Sequence, residues 1–341
     1  MKIAIVILNW DGLKLLKEFL PSVVKYSGNN PIYIIDNNSK DESVDFIKNN
    51  YPLIKIIRNE RNYGYAKGYN KGLEHVNEDI FCLLNNDVEV TSNWLDPVLQ
   101  EFNDDKLLSV VQPKILDYKN KNKFEYAGAA GGFIDYYGYP YCRGRIFNTV
   151  EDDKGQYDQN IDIFWASGAC FFIRKEVFNK LKGFDEHFYN HMEEIDLCWK
   201  LHLMDKETWA IPSSVVYHKN AATLPMFSRK KQYLNHRNSM QMILSNYSLP
   251  LTLYIFPIRF TLELVALIYS LIRMDLNHAI GIIQSLLWLV SHPVSILKRR
   301  KKIKQLRIIK DKKVLPWLYW GSVVFDYYIR GKKRSTDIIK E

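Results

Sequence analysis

Cysteine is scarce in this sequence, and its spacing excludes two kinds of stabilising element. Only four of the 341 residues are cysteine, at positions 82, 142, 170 and 198, and no two of them form a C-x-x-C pair. This spacing suggests neither a zinc site nor a disulfide framework, and it is typical of a protein in a reduced, cytoplasmic setting. With 47% hydrophobic residues, the chain can fold around an apolar core without covalent crosslinks.

The N-terminal segment lacks two features that define other classes of protein. The apolar run from Ile3 to Leu8 is too short for the core of a signal peptide and has no small-residue cleavage site after it, so it predicts a first strand. The turn that follows reads NWDGLKLL rather than G-x-G-x-x-G, and the set of Gly64, Gly68 and Gly72 has the wrong spacing for that motif. A dinucleotide-dependent oxidoreductase is therefore only a minor alternative.

The formal net charge of +9 is confined to one segment. Between Lys298 and Lys313 the chain carries ten Lys or Arg residues and a single acid, Asp311, whereas the remaining 37 basic residues balance the remaining 37 acidic residues. A neutral body with one cationic segment predicts a local electrostatic contact. It does not indicate a surface for nucleic acid, because no nucleic-acid-binding motif accompanies the charge.

Up to about residue 115, strand-like apolar runs alternate with helix-like segments. This alternation is the pattern of βαβ units and predicts an α/β fold, with a mixed, mostly parallel sheet flanked by helices. Three of the strand-like runs end in similar polar residues, namely Asn9 with Asp11, Asp36 with Asn38, and Asn86 with Asp87. Because open α/β sheets bind ligands at the carboxyl ends of their strands, these side chains predict a crevice rich in carboxylates and amides.

The second half of this region predicts a different mixture of elements. Residues 116–165 are rich in Tyr and Gly and have weak periodicity, which predicts loops and short strands. After Trp165 the pattern predicts an apolar strand, a short helix from about Lys175 to Leu181 and, beyond a turn at Gly183, a second helix with an acidic first turn. Acids in a first turn suit the helix dipole, so a structural and a functional role both remain open for them.

Two apolar stretches near the C-terminus approach the length of a membrane helix. Leu249–Ile272 contains Arg259 and Glu263, which are four residues apart and share a helix face, and Ala279–Leu297 is a second stretch. Helices that lie in the membrane interface, or a helical hairpin, fit this pattern better than two ordinary spans. The basic segment that follows would be drawn to anionic lipid at about 1 kcal/mol per charge. The alternative is a buried helix pair followed by a solvated basic helix.

The stretch LLNNDVEV, residues 83 to 90, ends a buried run with two carboxylates, Asp87 and Glu89. Alternate side chains of an extended segment point to the same side, so both carboxylates could reach one cation. The two phosphates of a nucleotide need a counter-charge, and a hard divalent cation such as Mn2+ or Mg2+, held by one or two carboxylates, supplies it. For this stretch alone, a solvated polar turn is the alternative.

Eight segments follow one another in a recognisable order over about residues 3 to 247. They are VILNWDG (6 to 12), IIDNNSKD (34 to 41), NYGYAKGYNKG (62 to 72), LLNNDVEV (83 to 90), ASGACFFIRKEVF (166 to 178), GFDEHFYNHMEEIDLCWK (183 to 200), VVYHKNAAT (215 to 223) and HRNSMQMILSNY (236 to 247). With these segments the sequence resembles the family 2 glycosyltransferases, especially the rhamnosyltransferase-like branch. The resemblance implies a GT-A fold, a nucleoside-diphosphate sugar donor, a divalent cation and inversion at the anomeric carbon.

The resemblance also implies roles for individual residues. Asp87 would be the principal residue for metal and diphosphate, with Glu89 and His218 completing the implied metal set. The family commonly has Glu-Asp where this chain has Glu193-Glu194, so Glu194 takes the position of the catalytic base and Glu193 is the alternative. The implied donor-binding residues are Asn9, Asp11, Asp36, Asn38, Asn62, Gly64, Asn70, Asn86, Asp87, Trp165, Ser167, Gly168 and Asp196.

Together these observations predict an inverting, metal-dependent glycosyltransferase. Residues 1–247 would form the GT-A domain, and residues 248–341 would associate with an anionic membrane at the cytoplasmic face of the cell. The acceptor would be a glycan or a lipid-linked precursor, and the branch resemblance favours rhamnosyl transfer in cell-surface polysaccharide synthesis. The non-enzymatic alternative is a membrane-tethered carbohydrate-binding module with an inactive site. The sequence predicts neither the nucleotide base nor the oligomeric state.

Overall fold

The computed structural model describes residues 1–220 and 228–339. Residues 221 to 223, the end of the VVYHKNAAT segment, lie outside the described residues. The strands are β1 (Ile3–Asn9), β2 (Ile32–Asp36), β3 (Lys55–Arg58), β4 (Ile80–Leu84), β5 (Val88–Val90), β6 (Leu108–Asp117), β7 (Gly132–Ile134), β8 (Pro140–Cys142), β9 (Arg145–Ile146), β10 (Thr149–Val150), β11 (Ile161–Asp162), β12 (Cys170–Arg174) and β13 (Glu207–His218).

Helices flank these strands and dominate the C-terminal part of the chain. They are α1 (Leu13–Tyr26), α2 (Ser43–Asn50), α3 (Gly64–Leu73), α4 (Asp96–Asp104), α5 (Lys175–Leu181), α6 (Glu193–Leu203), α7 (Arg229–Asn246), α8 (Leu249–Ile272), α9 (Leu276–Ser291), α10 (Pro293–Leu306), α11 (Asp311–Val314) and α12 (Val323–Tyr328). Two short 3-10 helices, Leu315–Trp317 and Ser335–Asp337, follow α11 and α12 respectively.

Nine strands form one mixed sheet in the order β11-β13-β6-β12-β4-β1-β2-β3, with β5 paired to β13. The four strands from β4 to β3 are parallel, as the βαβ pattern predicts. Strand β12 is antiparallel to both of its neighbours, and β13 is antiparallel to β5 and β11. The predicted mixed α/β sheet with flanking helices is therefore confirmed, with its antiparallel pairings made by β12 and β13.

Alternate residues of each central strand face opposite layers of helices. In β1, Ile3, Ile5 and Ile7 pack on the layer that contains α1, α2 and α4, whereas Ala4 and Val6 pack on the layer that contains α3, α5 and α6. Both faces of the strand are covered, which explains why its sequence is continuously apolar rather than alternating. In β1 the polar residue, Asn9, comes only at the carboxyl end of the strand.

Residues 116–165 form the predicted loops and short strands. Strands β7 to β10 make a small second sheet that packs against the C-terminal part of the chain. Tyr141 and Ile146 from this sheet share a small core with Val323 and Tyr327 of α12. The last described residues therefore cover the small sheet rather than extending away from it.

Helices α8 to α10 occupy the region of the two apolar stretches. Helix α8 is the one helix among the described residues that is long and apolar enough to cross a membrane, by length and composition alone. The second stretch is not one helix: α9 ends at Ser291 and α10 starts at Pro293, with a bend of 75° between them. Proline lacks an N–H and disfavours helical geometry in the residue before it, so the break falls at His292.

In the basic segment, residues 298 to 313, the lysines and the arginines differ in their exposure to solvent. Its seven lysines are exposed, whereas Arg299, Arg300 and Arg307 point into the protein. Arg300 donates to Leu244 O, and Arg307 pairs with Asp311 at 2.6 Å. The cationic surface of this segment is therefore a lysine surface, and its arginines hold α10 against the rest of the protein.

Candidate active site

The carboxyl ends of β1, β2 and β4 meet at one edge of the sheet. Asn9 and Asp36 are neighbours in the β1–β2 register, and the side-chain amide of Asn86 donates to Asn9 Oδ1 at 3.0 Å. Asp36 is fully buried and accepts hydrogen bonds from Arg58 Nε at 3.2 Å and from the backbone N–H of Ser39 at 3.1 Å. The structure thus brings these three predicted donor-binding residues together.

Two turn residues, Asp11 and Asn38, lie beside this edge. Both have left-handed backbone conformations, with φ of 48° and 63°, which Asp and Asn adopt more readily than most residues. Asp11 Oδ1 accepts a hydrogen bond from Lys40 N at 2.6 Å and so ties the turn after β1 to the turn after β2. Gly12 is required here, because a Cβ would lie 2.2 Å from Asn9 Oδ1.

Asn62, Gly64 and Asn70 flank the same edge but make different contacts. Asn62 Oδ1 accepts from Asn37 Nδ2 at 3.0 Å and from Gly64 N at 2.9 Å, at the start of α3. The side-chain amide of Asn70 makes two hydrogen bonds with the backbone of Phe184. Its Nδ2 donates to Phe184 O at 2.9 Å, and its Oδ1 accepts from Phe184 N at 2.8 Å. Asn70 therefore holds the segment that leads to α6, and its hydrogen-bonding groups do not face the ends of β1 and β2.

An ion-pair series extends from the end of β4 across to β13. Asp87, which is buried, lies 3.1 Å from Nε2 of His218, and the buried carboxylate of Glu125 lies 3.3 Å from Nδ1 of the same ring. Burial alone would lower the pKa of His218, but the charges of Glu125 and Asp87 raise it to about 10. A metal ion held by Asp87 and His218 would therefore have to replace the proton on the imidazole.

Glu89 does not join this series, contrary to the prediction from its spacing. Strand β5 pairs it with Tyr217 of β13, and its carboxylate lies 2.5 Å from Nζ of Lys121. Lys121 is exposed and comes from the loop after β6, a partner that the local sequence does not reveal. The structure thus brings together Asp87 and His218 of the predicted metal set, and it places Glu89 in a separate surface ion pair.

Glu193 and Glu194 begin α6, as the acidic first turn predicts. Each has one carboxylate oxygen that is buried and has no hydrogen-bond partner. Burial raises the pKa of Glu194 to about 7, and burial together with the neighbouring Glu194 charge raises the pKa of Glu193 well above its usual range. A carboxylate with a pKa near 7 is matched to accept a proton at neutral pH.

The segment before β12 connects Glu194 to the end of β4. A Cβ built on Gly168 would lie 3.0 Å from the Tyr65 hydroxyl and 3.9 Å from Cδ of Glu194, so the backbone of Gly168 passes close to both side chains. The next residue, Ala169, accepts a backbone hydrogen bond from Asn85 at 2.9 Å. Glu194 and the residues around Asp87 therefore lie on either side of one short stretch of backbone.

The other two predicted residues of this segment have internal contacts. Trp165 is buried and donates from Nε1 to Phe133 O at 2.8 Å. The backbone N–H of Ser167 donates to Oε1 of Gln112 at 2.7 Å, and its hydroxyl accepts from Ala169 N at 3.2 Å. These contacts shape the segment around Gly168 and leave its backbone beside Glu194.

Asp196 is part of α6 but does not lie with Glu194. It is fully buried and pairs with Lys200 at 2.6 Å and with Arg299 of α10, and it accepts from Asn246 Nδ2 at 2.9 Å. Burial would raise its pKa, but the charges of Arg299 and Lys200 lower it. Helix positions two apart point to different sides, so its carboxylate faces α7 and α10 and not the same side as Glu194.

The backbone before α6 is strained and held from α7. Tyr189, His191 and Met192 all have left-handed conformations, with φ between 63° and 70°. The Asn238 amide donates to the carbonyls of residues 188, 190 and 191 at 3.2, 3.1 and 2.8 Å, and Arg237 donates to those of residues 187 and 188. Sequence reasoning assigned no role to these two residues, although they lie in the quoted segment HRNSMQMILSNY.

Comparison with known proteins identifies the family and the fold of this chain. The sequence profile of the family described as "Glycosyl transferase family 2" matches residues 3–182, more than half of the chain. The N-acetylglucosaminyl-diphospho-decaprenol L-rhamnosyltransferase of Mycobacterium tuberculosis is 23% identical over 227 residues, covering 60% of this chain and 72% of that protein.

Two solved structures share the fold. GalNAc-T7 with UDP, GalNAc and Mn2+ matches with a TM-score of 0.57 and 17% identity, over 75% of this chain and 50% of that chain. The mannosyltransferase PcManGT from Pyrobaculum calidifontis, in complex with GDP-Man and Mn2+, matches with a TM-score of 0.50 and 12% identity, over 96% of this chain and 87% of that chain. The predicted GT-A fold is confirmed.

Proposed function

The chain belongs to glycosyl transferase family 2, and on that premise we propose that it is an inverting, metal-dependent enzyme. It moves a sugar from a nucleoside-diphosphate sugar to a hydroxyl of a glycan or lipid-linked acceptor. Membership of a transferase family sets aside the dinucleotide-dependent oxidoreductase that the sequence alone left open. Rhamnose is our preferred donor sugar, and the similarity to a rhamnosyltransferase supports it.

One observation carries the proposal: the Glu194 carboxylate, with a pKa of about 7, keeps a buried oxygen without a hydrogen-bond partner beside Gly168. An acceptor hydroxyl is a poor nucleophile at neutral pH, and a carboxylate within hydrogen-bond reach removes its proton as it attacks the anomeric carbon. The new C–O bond forms on the face opposite the departing nucleoside diphosphate, so the configuration inverts. Glu193 is buried beside Glu194, and two negative charges so close together repel each other. When Glu194 is ionised, Glu193 therefore keeps its proton.

Asp87 and His218 fit a divalent cation that is shared with the donor. Within residues 1–220 and 228–339, no cluster of three or more His, Cys, Asp or Glu side chains is arranged as a metal site. Cations that bind nucleotide phosphates commonly use one or two protein ligands and take the rest from phosphate and water. When bound, the cation stabilises negative charge on the leaving diphosphate. Glu125 lies against the other nitrogen of His218 and orients the ring.

Helices α8 to α10 support a membrane-associated enzyme at the cytoplasmic face of the cell membrane. Arg259 and Glu263 of α8 pair with each other in the interior, which leaves an outer face of exposed apolar side chains such as Leu253, Val265 and Ile268. The exposed lysines of the basic segment begin in α10, after α9. A helix with an apolar outer face and a later helix with exposed lysines suit a region that lies in the interface of an anionic membrane, where a lipid-linked acceptor would be found.

Donor turnover tests the reaction. The purified protein is incubated with UDP-, GDP- and dTDP-sugars in the presence of Mn2+, Mg2+ or EDTA, and released nucleoside diphosphate is measured. We expect metal-dependent release from one donor class, lowered about 10²-fold in Asp87→Ala and unchanged in the surface control Glu74→Gln. Turnover that survives both EDTA and Asp87→Ala contradicts metal dependence. Donor binding without any turnover would instead support the inactive carbohydrate-binding module.

A further inference from the structure

A polar cavity of about 450 Å³ adjoins the candidate site at Glu125, which contacts His218. It is lined by residues 117, 123–126, 148–150 and 220. Its volume falls in the range of small-ligand pockets, about 300–1,000 Å³. None of the predicted site residues lines this cavity, and no role has been assigned to it in the reaction described above.

A row of contacts places the cavity relative to the donor. The row begins with Asp36 and Asn9, which are paired in the β1–β2 register. Asn9 accepts a hydrogen bond from Asn86, the residue before Asp87 in the sequence. Asp87 contacts His218, and His218 contacts Glu125, which lines the cavity. If the nucleotide and diphosphate occupy the Asp36 and Asp87 ends of this row, the cavity lies beyond the diphosphate.

The cavity contains a buried acceptor that has no partner. Glu125 is 1% exposed, and its Oε2 contacts His218 and accepts a hydrogen bond from Ala127 N at 2.6 Å. The other oxygen, Oε1, is buried without a hydrogen-bond partner among the described residues. A buried carboxylate oxygen without a hydrogen-bond partner is destabilising, and a ligand hydroxyl that donates to it would offset this cost.

The remaining lining indicates the chemistry of the ligand. Tyr126 supplies an aromatic ring, Thr149 a hydroxyl, and Asn148 and Asn220 supply amides. Amides and hydroxyls both donate and accept, which suits the hydroxyl groups of a sugar. Two carboxylates, those of Asp117 and Glu125, stand against one cation in the lining, Lys123.

We propose that this cavity binds a neutral sugar unit of the acceptor. The proposal rests on the proposed function and adds a substrate class to it. Glu125 contacts His218 and His218 contacts Asp87, so a sugar in the cavity lies next to the proposed diphosphate end of the donor.

The test uses neutral methyl glycosides of N-acetylglucosamine, glucose, galactose and rhamnose as probes. Binding to the full chain is measured by saturation-transfer NMR with nucleoside diphosphate and Mn2+ present. Asn148 is exposed, so Asn148→Trp fills the cavity without disturbing the core. We expect at least one glycoside to bind the wild type and its affinity to fall about tenfold or more in Asn148→Trp, and less in Asn148→Ala. Lys154→Trp, an exposed loop position outside the lining, is the matched control.

Donor hydrolysis without acceptor separates this proposal from the proposed function. We expect both Asn148 variants to hydrolyse the donor within about twofold of the wild type, because the cavity is distinct from the donor contacts. Equal glycoside affinity in wild type and Asn148→Trp, absence of binding by every glycoside, or displacement of the glycoside by inorganic phosphate each overturns the cavity assignment. Absence of donor binding and hydrolysis in the wild type overturns the proposed function instead.

Discussion

Buried carboxylates occur in two regions of this protein, and the two regions treat them in opposite ways. In the candidate active site, Glu193 and Glu194 each keep an oxygen without a partner, and burial raises their pKa values. Where α6 meets α10, Asp185 and Asp196 face Arg299, whose charge lowers their pKa values against the effect of burial. The unpartnered carboxylates lower the stability of the fold but hold a proton that can exchange near neutral pH. The paired carboxylates bind Arg299 and so hold α10 against α6.

The largest expected effect comes from removing the base. Glu194→Gln keeps the size of the side chain but cannot accept a proton, so we expect kcat for sugar transfer to fall about 10³-fold. Because an unpartnered buried charge is removed, the melting temperature should stay the same or rise. Steady-state kinetics and calorimetry of the same preparation measure both quantities. Transfer within tenfold of the wild type would exclude Glu194 as the base, and Glu193→Gln would then be examined.

Arg299→Met should show the reverse pattern. Removing the guanidinium leaves Asp185 and Asp196 buried without their strongest counter-charge, which we expect to lower the free energy of unfolding by about 3 kcal/mol. Urea unfolding followed by tryptophan fluorescence measures the change. The control is Lys302→Met on the exposed side of the same helix, which should change stability by no more than about 0.5 kcal/mol. Equal midpoints for the two variants would show that the buried pairs do not hold α10.

Asn238→Ala tests whether the hydrogen bonds from α7 to the backbone before α6 position Glu193 and Glu194. Without its amide, the carbonyls before α6 lose a shared donor while three residues there retain costly left-handed conformations. We expect kcat to fall about 30-fold, a barrier increase of about 2 kcal/mol, with KM for the donor changed less than about twofold. Asn50→Ala, which also removes an amide bonded to a carbonyl, is the surface control. Equal loss of kcat and of fold stability in both variants would argue against positioning.

The pH dependence of transfer follows from the same raised pKa. Below about pH 7 Glu194 becomes protonated, and its ionised fraction falls about tenfold with each further pH unit. We therefore expect kcat to rise about tenfold per unit up to pH 7 and to level off above it. A pH–rate profile, with nucleotide affinity measured in parallel, checks this expectation. A flat profile between about pH 5.5 and 8 would contradict it.

The last prediction concerns the lysine surface. Lys301→Gln with Lys302→Gln removes two exposed charges, so binding to vesicles that contain anionic lipid should weaken by about 1 kcal/mol per charge. Lys14→Gln with Lys17→Gln on α1 makes the same change in net charge at another exposed surface. Co-sedimentation with anionic and neutral vesicles measures the difference. Equal binding by the two double variants would mean that membrane attraction depends on total charge rather than on α10.

Local sequence patterns predicted the parts of the protein that depend on local physics. The end of each parallel strand is marked by a change from apolar to polar residues, so Asn9, Asp36 and Asn86 could be placed at one sheet edge without coordinates. The acidic first turn of α6 was also predictable from the helix pattern. Pro293 could have predicted the division of the second apolar stretch, because it disfavours helical geometry at His292.

Contacts between distant segments could not be predicted in this way. The spacing of Asp87 and Glu89 suggested a shared cation, but Lys121, more than thirty residues away, holds Glu89. The composition of the basic segment likewise concealed that its arginines point inward. Glu125 lies in an irregular stretch without periodicity, and only the fold brings it to His218.

The salt bridge that Arg299 makes with Asp196 has a practical consequence for protein engineering. A shortened chain that stops at residue 247 would lose α10, and with it the cation that neutralises a carboxylate two residues from the base. Deleting the C-terminal helices to obtain a more soluble enzyme would therefore leave Asp196 of α6 without its Arg299 partner. Replacing outward-facing apolar residues of α8 and α9 with polar ones, while leaving Arg299 in place, is the safer route to a soluble and active protein.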